Sequence, residues 1–329
     1  MSESRPAGPM AAVDVGSNTI HLVVARPIAD GRDVETLADE VELVRLGADV
    51  NATGTIGPER MAHAIRTLRR YVEIAHGVGA TSTLGIATEG VRAAHNGAAL
   101  IERAREEASV ELHLVTGDQE AALTFWGATS GQLLDGRNAV VDLGGGSVEL
   151  VVGDGERVEW RVSLPLGSGA VHDRLAPSDP ANGAELAEAE IMVNAALSQL
   201  EPPLPVGEVA ACGGTATTLA ALARLALGTP VERGPGGADD PAALPALDDE
   251  VIAALLQLLE TVPAAEITRR YGVDEGRARL LAAGGIVLRS AMRRLGAERL
   301  RVSRRGIREG AILAYLRHGE GWLEAAARG

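Results

Sequence analysis

Two Asp-x-Gly segments carry the residue types best suited to phosphate chemistry. Residues 14–19 read DVGSNT and residues 142–147 read DLGGGS. A glycine turn between two strands lets the backbone approach a ligand closely and points N–H groups into a concave nest for phosphate oxygens. Serine hydroxyls can add hydrogen bonds, and an aspartate at a strand end supplies a hard oxygen ligand suited to Mg²⁺. Because Gly and Asp are also ordinary turn residues, either segment alone is better explained as a plain hairpin turn.

The two segments are copies of one pattern. They are separated by 142 − 14 = 128 positions, and at that offset an Asp, a Gly, a Leu and two Val recur without a gap. His21 of the first copy falls opposite Glu149 of the second. Such a repeat predicts two related domains, each starting with a hairpin, and favours the phosphate-binding interpretation for both turns.

Two further residues could act on a bound phosphate. Arg92 follows a predicted strand and could reach a phosphate bidentately, although a solvated helix arginine fits equally well. Glu120 lies near the start of a predicted helix, whose positive end favours the ionised carboxylate, so it could orient or deprotonate a water. Considered alone, Glu120 is better explained as a helix-capping acid.

The glycines at 213 and 214, with Thr215, stand between a predicted strand and a helix N-terminus. This is a ready anion site, and an ordinary helix cap is an equally good interpretation. The single cysteine, Cys212, is interpreted as a small buried neighbour rather than a nucleophile.

The segments that must position these residues alternate between strands and helices. Helices are predicted at 58–77, 96–108, 118–134 and from 215 through 227, and strands at 83–88, 111–116, 208–212 and 299–303. Residues 228–249 are rich in Gly, Pro, Ala and Asp and are predicted to form a surface loop. The predicted fold class is α/β, with domains at 1–125 and 126–329, and the last helices could pack on either domain.

The composition of the chain disfavours some classes of partner. The formal net charge is −14, which disfavours nucleic acid and anionic membranes as partners, and only 2% of the residues are aromatic. Arg304, Arg305 and Arg308 form a basic cluster that offers an anion contact in this acidic chain. One cysteine and the lack of a long apolar segment or a signal-peptide core favour a reducing cytoplasm.

Together these segments resemble the exopolyphosphatase/guanosine pentaphosphate phosphohydrolase (Ppx/GppA) family, within the actin–hexokinase–Hsp70 ATPase superfamily. The matching stretches, in the family's order, are 14–19, 87–96, 117–121, 142–150, 163–167, 212–219, 277–284 and 302–310. The chain departs from the family at Gly90, where a small residue with a side chain is usual. It also stops before the C-terminal helical domain of larger members, so we expect short polyphosphates as substrates.

The resemblance implies two ribonuclease-H-like domains with the active site in the cleft between them. It implies hydrolytic release of terminal orthophosphate, with Glu120 as the base acting on water and with Mg²⁺ (or Mn²⁺) bound mainly by Asp142 and Glu149 and additionally by Asp14. Arg92 is assigned to catalysis. The residues assigned to phosphate are Gly16, Ser17, Asn18, Thr19, Gly144, Gly145, Gly146, Ser147, Gly213, Gly214 and Thr215.

Several functions remain open on the sequence. The leading expectation is an exopolyphosphatase, acting as a cytoplasmic homodimer on inorganic polyphosphate. Guanosine pentaphosphate (pppGpp) presents the same terminal phosphoanhydride and is the alternative substrate. A non-catalytic sensor of polyphosphate or an alarmone is a third hypothesis, and an ATP-using sugar kinase or filament protein of the same superfamily is a fourth.

Overall fold

A computed structural model describes residues 8–28, 31–130, 136–231 and 244–328. The chain divides into two compact units: unit 1 comprises Met1–Leu133 and Arg305–Gly329, and unit 2 comprises Leu134–Arg304. This division differs from the boundary at 125/126 that the sequence suggested. The final segment belongs to unit 1, which is one of the two placements that the sequence left open.

The elements alternate along the chain as the sequence pattern predicts. The strands are β1 (Met10–Val15), β2 (Thr19–Ile28), β3 (Asp33–Leu43), β4 (Thr83–Ala87), β5 (Leu112–Leu114), β6 (Arg137–Leu143), β7 (Val148–Asp154), β8 (Arg157–Leu164), β9 (Val209–Cys212), β10 (Leu247–Asp248) and β11 (Arg299–Val302). The α-helices are α1 (Leu46–Thr53), α2 (Pro58–Gly77), α3 (Glu89–Arg92), α4 (Gly97–Ala108), α5 (Gly117–Thr129), α6 (Ser168–Leu175), α7 (Gly183–Ser198), α8 (Gly214–Leu222), α9 (Asp249–Thr261), α10 (Ala264–Tyr271), α11 (Glu275–Ala278), α12 (Leu281–Arg294), α13 (Ile307–His318) and α14 (Trp322–Arg328).

Unit 1 is built on a five-stranded sheet of order β3-β2-β1-β4-β5. β1 pairs antiparallel with β2 and parallel with β4, so Asp14 lies opposite His21 on one side and Ile86 on the other. Helix α2 begins with Pro58 at its first position and buries Met61, Ile65 and Leu68 at helical spacing. These residues join the inward side chains of β1 and β2 in a single core.

Unit 2 repeats that arrangement. Its sheet has the order β10-β11-β9-β6-β7-β8, with β6 antiparallel to β7 and parallel to β9. Asp142 lies opposite Glu149 on β7 and Cys212 on β9, as Asp14 lies opposite His21 and Ile86. The predicted duplication and the predicted fold class are therefore confirmed.

Two of three predicted boundaries are wrong within the described residues. The helix predicted at 118–134 ends at Thr129, since Ser130 has an extended backbone; residues 131–135 lie outside the described part. The helix predicted through 227 does end there, and its last turn, Ala223–Leu227, is a π-helix. The loop predicted at 228–249 contains β10, and α9 starts at its end because the Asp248 carboxylate accepts a hydrogen bond from the Val251 N–H at 2.8 Å. Residues 232–243 of that loop are not among those described.

No single helix in the described ranges is long and apolar enough to cross a membrane. Helices α9 and α10 together meet the criteria of length and composition, with a bend of 116° between them.

Candidate functional site

The second Asp-x-Gly loop, residues 144–147, lies on the N-terminus of α6. The carbonyl of Gly144 accepts from the Ser168 N–H at 3.0 Å, and that of Gly145 accepts from the amides of residues 169 and 170. The Gly146 carbonyl accepts from the Gly167 N–H at 3.1 Å. The first amides of a helix have no partner within the helix, so these carbonyls supply one. All three glycine carbonyls of the loop therefore point towards α6.

This orientation makes the loop an anion-binding nest. In a trans peptide the C=O of one residue and the N–H of the next point in opposite directions. The amides of Gly145, Gly146 and Ser147 therefore point away from α6, and within the described ranges none of them donates to a protein acceptor. Three parallel N–H groups at a glycine loop form a site for phosphate oxygens. The role of Gly144–Ser147 in phosphate binding stays a prediction, and the direction of these amides is compatible with it.

Two glycines outside this loop are required by its close packing. A Cβ on Gly167 would lie 2.5 Å from the carbonyl carbon of Gly145. Gly213 has a φ of +94°, and a Cβ there would lie 2.4 Å from the Leu143 carbonyl oxygen and 3.2 Å from Oδ1 of Asp142. Gly213 therefore brings the β9–α8 turn against the end of β6, at the aspartate itself. The sequence analysis assigned no role to Gly167, although it lies in a stretch that matches the family.

A row of polar side chains crosses the sheet of unit 2 beside the loop. Asp142 and Glu149 are opposite residues on β6 and β7, and such pairs project from the same face of an antiparallel sheet. Glu149 is 2% exposed and accepts a hydrogen bond from the Ser163 hydroxyl at 2.7 Å. Two adjacent carboxylates, one of them fixed by a hydroxyl, offer the hard oxygen donors that a small divalent cation takes.

Cys212 lies in the same row, opposite Asp142 on β9. Burial, together with the negative charge of Asp142, raises the pKa of the Cys212 thiol well above its usual range. The thiol therefore stays protonated, which confirms its interpretation as a buried neighbour rather than a nucleophile.

The β9–α8 turn carries the other predicted anion site of unit 2. Gly214 is covered by the Arg277 guanidinium, because a Cβ on Gly214 would lie 2.9 Å from Nη1 of Arg277. Nη1 makes only 3.5 Å contacts with the Gly214 carbonyl and the Thr218 hydroxyl, and burial lowers the pKa of Arg277. Arg277 matches the family but was assigned no role from the sequence. The hydroxyl of Thr215, which was predicted to bind phosphate, donates instead to Ser168.

The first Asp-x-Gly loop repeats the design of the second within unit 1. The Gly16 N–H donates to the Thr19 carbonyl at 3.0 Å, as the Gly144 N–H donates to Ser147 in unit 2. The Ser17 carbonyl accepts from the Gly47 amide in the first turn of α1, and the Asn18 carbonyl accepts from the amides of residues 44 and 45. The Asn18 N–H therefore points away from α1, as the nest amides point away from α6.

Helix α3 packs against the other side of this loop. A Cβ on Gly90 would lie 2.6 Å from the Ser17 Cα, so Gly90 permits a close approach that any side chain would prevent. Gly90, where the sequence departs from the family pattern, is therefore required by a close contact in this chain. The approach places the helix that carries Arg92 directly beside the loop.

Arg92 and Glu120 are brought together in unit 1. Nη1 of Arg92 lies 3.5 Å from Oε2 of Glu120, and the same guanidinium donates to Glu89 and to the Val115 carbonyl. The Glu120 side chain is only 13% exposed. The capping box of α5 is formed by Thr116 and Gln119, so the interpretation of Glu120 as a capping acid is wrong.

Two arginines of the basic cluster after β11 form hydrogen bonds and ion pairs within unit 1. Arg305 donates to Asp33, to Ser130 and to the Val34 carbonyl, and Nη1 of Arg308 donates to Asp39 at 2.9 Å. Carboxylates of unit 1 therefore already bind these two arginines, and their role as anion contacts stays a prediction.

Asp14 lies in the field of the buried Arg308. Burial alone would lower the pKa of Arg308, but the carboxylates of Glu309, Asp39 and Asp14 raise it. Asp14 therefore helps to balance a buried cation. In the described part of the chain no three His, Cys, Asp or Glu side chains are grouped so as to hold a metal ion.

Comparison with known proteins places these features in a family. The model of the Ppx/GppA phosphatase family matches residues 23–318. Exopolyphosphatase 1 of Mycobacterium tuberculosis (strain ATCC 25618 / H37Rv) is 30% identical over 316 residues, covering 93% of this chain and 88% of that protein. Exopolyphosphatase 1 of Mycobacterium leprae is 29% identical over 314 residues, with coverages of 93% and 89%. The crystal structure of the Aquifex aeolicus member of the Ppx/GppA family matches with a TM-score of 0.77 and 25% identity, covering 96% of this chain and 99% of that one.

Proposed function

Since the chain belongs to the Ppx/GppA phosphatase family, we propose that it is an exopolyphosphatase, which hydrolyses the terminal phosphoanhydride of inorganic polyphosphate and releases orthophosphate. The observation that carries the proposal is the nest formed by the amides of Gly145, Gly146 and Ser147 beside the Asp142–Glu149 pair. Phosphoryl transfer needs mainly positioning and neutralisation of charge, and these two features supply both.

The carboxylate pair is proposed to hold Mg²⁺ (or Mn²⁺). Magnesium is usually bound by one or two carboxylates, while phosphate oxygens and water complete its coordination, and Asp142 with Glu149 fits that donor set. Bound there, the cation would neutralise charge on the phosphate oxygens. The hydrogen bond from Ser163 fixes Glu149 in one orientation. Asp14, which lies near Arg308, is proposed to have at most a secondary role in metal binding.

Glu120 is proposed as the general base. Its carboxylate accepts a proton from the attacking water, whose oxygen bonds to the terminal phosphorus as the bridging P–O bond breaks and the shortened polyphosphate leaves. Arg92 is proposed to orient this carboxylate and to contact a phosphate oxygen. The first loop, at Gly16–Thr19, is proposed as a second phosphate-binding element, supported by the outward Asn18 amide.

The aromatic residues support polyphosphate over a guanine nucleotide as substrate. Guanine rings commonly stack on aromatic side chains, and all seven aromatics of this chain lie in the described ranges. Four are buried, namely Tyr71, Phe125, Trp126 and Trp322. Trp160 and Tyr271 pack against the core of unit 2, and the Tyr315 hydroxyl donates to Glu320.

The proposal is tested by orthophosphate release from tripolyphosphate and longer chains by the purified protein with Mg²⁺. Release from at least one chain length is expected, and none from any length would contradict the proposal. Competition between tripolyphosphate and pppGpp in one preparation ranks the two substrates. We also propose a cytoplasmic homodimer, which cell fractionation and light scattering would test.

A further inference from the structure

Two buried hydroxyl groups connect the β9–α8 turn to the second loop. Ser168 is 1% exposed and Thr215 is 7% exposed. Oγ1 of Thr215 donates to Oγ of Ser168 at 3.0 Å, and Oγ of Ser168 donates to the Gly144 carbonyl at 3.3 Å. Each hydroxyl has one proton, so this short chain of hydrogen bonds runs in one direction and ends on the loop.

The Gly144 carbonyl, at which these hydrogen bonds end, sets the direction of the Gly145 amide in the nest. The Gly144 carbonyl also accepts from the Ser168 backbone N–H at 3.0 Å, so two donors of one residue hold it. The same peptide plane contains the Gly145 N–H, which points the opposite way, into the nest. A donor that fixes the Gly144 carbonyl therefore fixes the Gly145 amide as well.

Thr215 is itself locked by packing from α12. A Cβ on Gly284 would lie 2.2 Å from Cγ2 of Thr215 and 3.3 Å from the Ser168 Cβ. Gly284 thus leaves room for the Thr215 methyl group and holds it in one rotamer. The hydroxyl on the same Cβ is directed at Ser168 as a consequence.

We propose that Thr215 acts through Ser168 as a positioning residue for the second phosphate loop. Its hydroxyl, already committed to Ser168, orients the nest and does not itself contact the substrate. This inference rests on the proposed function, because the ligand of the nest is taken to be a polyphosphate. It replaces the role in direct phosphate contact that the sequence suggested for the Thr215 side chain.

The test uses Thr215→Val, which keeps the shape of the side chain and removes the donor. The nest holds phosphate both before and during the reaction, so its loosening raises KM while kcat stays nearly constant. We expect KM for tripolyphosphate and its calorimetric Kd to rise together by ~5-fold, the equivalent of one lost hydrogen bond. Thr215→Ser restores the hydroxyl without the methyl group that orients it, and should recover most of the loss in both constants.

Thr217→Val is the matched control, since the Thr217 hydroxyl bonds only to carbonyls at the start of its own helix. Its KM and Kd should equal those of the wild type. If Thr215→Val does not fold, Ser168→Ala is the second variant. It removes the hydroxyl that links Thr215 to the Gly144 carbonyl, and it should raise both KM and Kd. Unchanged constants in the folded variant, or a Thr215→Ser protein as impaired as Thr215→Val, would overturn the inference. A wild-type protein that neither binds nor hydrolyses polyphosphate of any chain length would instead overturn the proposed function.

Discussion

Asp142 and Glu149 stand directly opposite each other on antiparallel strands, while the equivalent positions of unit 1 hold Asp14 and His21. The duplicated hairpin therefore has two carboxylates in one copy and one carboxylate with an imidazole in the other. A hard divalent cation prefers the first arrangement. This difference is the reason for proposing the metal at the second loop and a phosphate-binding role for the first.

The first prediction concerns the metal. Asp142→Asn and Glu149→Gln should each weaken Mn²⁺ binding, measured by electron paramagnetic resonance of the purified protein, by at least ~10-fold. Asp14→Asn is the matched control, since it removes the equivalent carboxylate of unit 1, and it should leave the affinity nearly unchanged. A larger loss of Mn²⁺ affinity in Asp14→Asn than in Asp142→Asn would contradict the assignment.

The second prediction concerns the glycine at the β9–α8 turn. Gly213→Ala should lower the free energy of unfolding by at least ~2 kcal/mol, because its φ is positive and the new Cβ would meet the Leu143 carbonyl at 2.4 Å. Gly77→Ala, where a Cβ meets nothing within 4 Å, should be neutral or stabilising by ~0.5–1 kcal/mol. Urea denaturation measures both, and equal effects of the two substitutions would refute the explanation.

The two duplicated hairpins could be predicted from the sequence because a hairpin depends on a short-range pattern of residues. The Asp, the Gly and the apolar alternation at 14–24 and 142–152 define two strands and a turn without reference to the rest of the chain. The helix at Pro58–Gly77 was predicted with its observed ends, since Pro58 and the apolar spacing are local signals.

Other parts of the site depend on tertiary contacts that no local pattern records. The partners of Arg305 and Arg308 are Asp33 and Asp39, far away in the sequence, so a free basic cluster was expected. The requirement for glycine at 167 comes from the approach of the second loop to α6. The two-unit division also depends on where α13 packs, and this helix is buried along most of its length rather than on one face, so its sequence pattern indicates neither unit.

The third prediction uses the single cysteine. Burial, reinforced by Asp142, raises the pKa of the Cys212 thiol, so the thiolate needed for disulfide exchange is scarce in the native protein at pH 8. A chromogenic disulfide reagent should react at the slow rate of unfolding in buffer and within seconds in strong denaturant. A fast reaction of the native protein would show that Cys212 is accessible and ionised.

The fourth prediction is a pH dependence of stability in unit 2. The Arg289 guanidinium, with Arg293 beside it, lowers the pKa of Asp249 to about 2. Because this value lies below the unfolded value of roughly 3.9, ionised Asp249 stabilises the fold above about pH 4, and this contribution is lost as the pH falls towards 2. The side chain is 43% exposed, so screening limits the effect to ~1 kcal/mol or less.

Urea denaturation of Asp249→Asn against wild type measures this contribution. The difference in unfolding free energy should be present at pH 7 and should close between pH 4 and pH 2. Glu250→Gln, which alters the adjacent exposed carboxylate, should show no such closure. A difference for Asp249→Asn that stays constant from pH 7 to pH 2 would refute the ion pair as its source.

The main proposal is that Glu120 removes a proton from the water that attacks a terminal phosphate. Its most direct test is the rate of orthophosphate release from tripolyphosphate by Glu120→Gln, measured together with the Kd for tripolyphosphate. Glu89→Gln is the matched control, since Glu89 also hydrogen-bonds to Arg92 and should lose little activity. We expect the rate to fall by ~10²–10⁴-fold in Glu120→Gln, with a Kd close to that of the wild type. Orthophosphate release by Glu120→Gln at the wild-type rate would contradict the proposal.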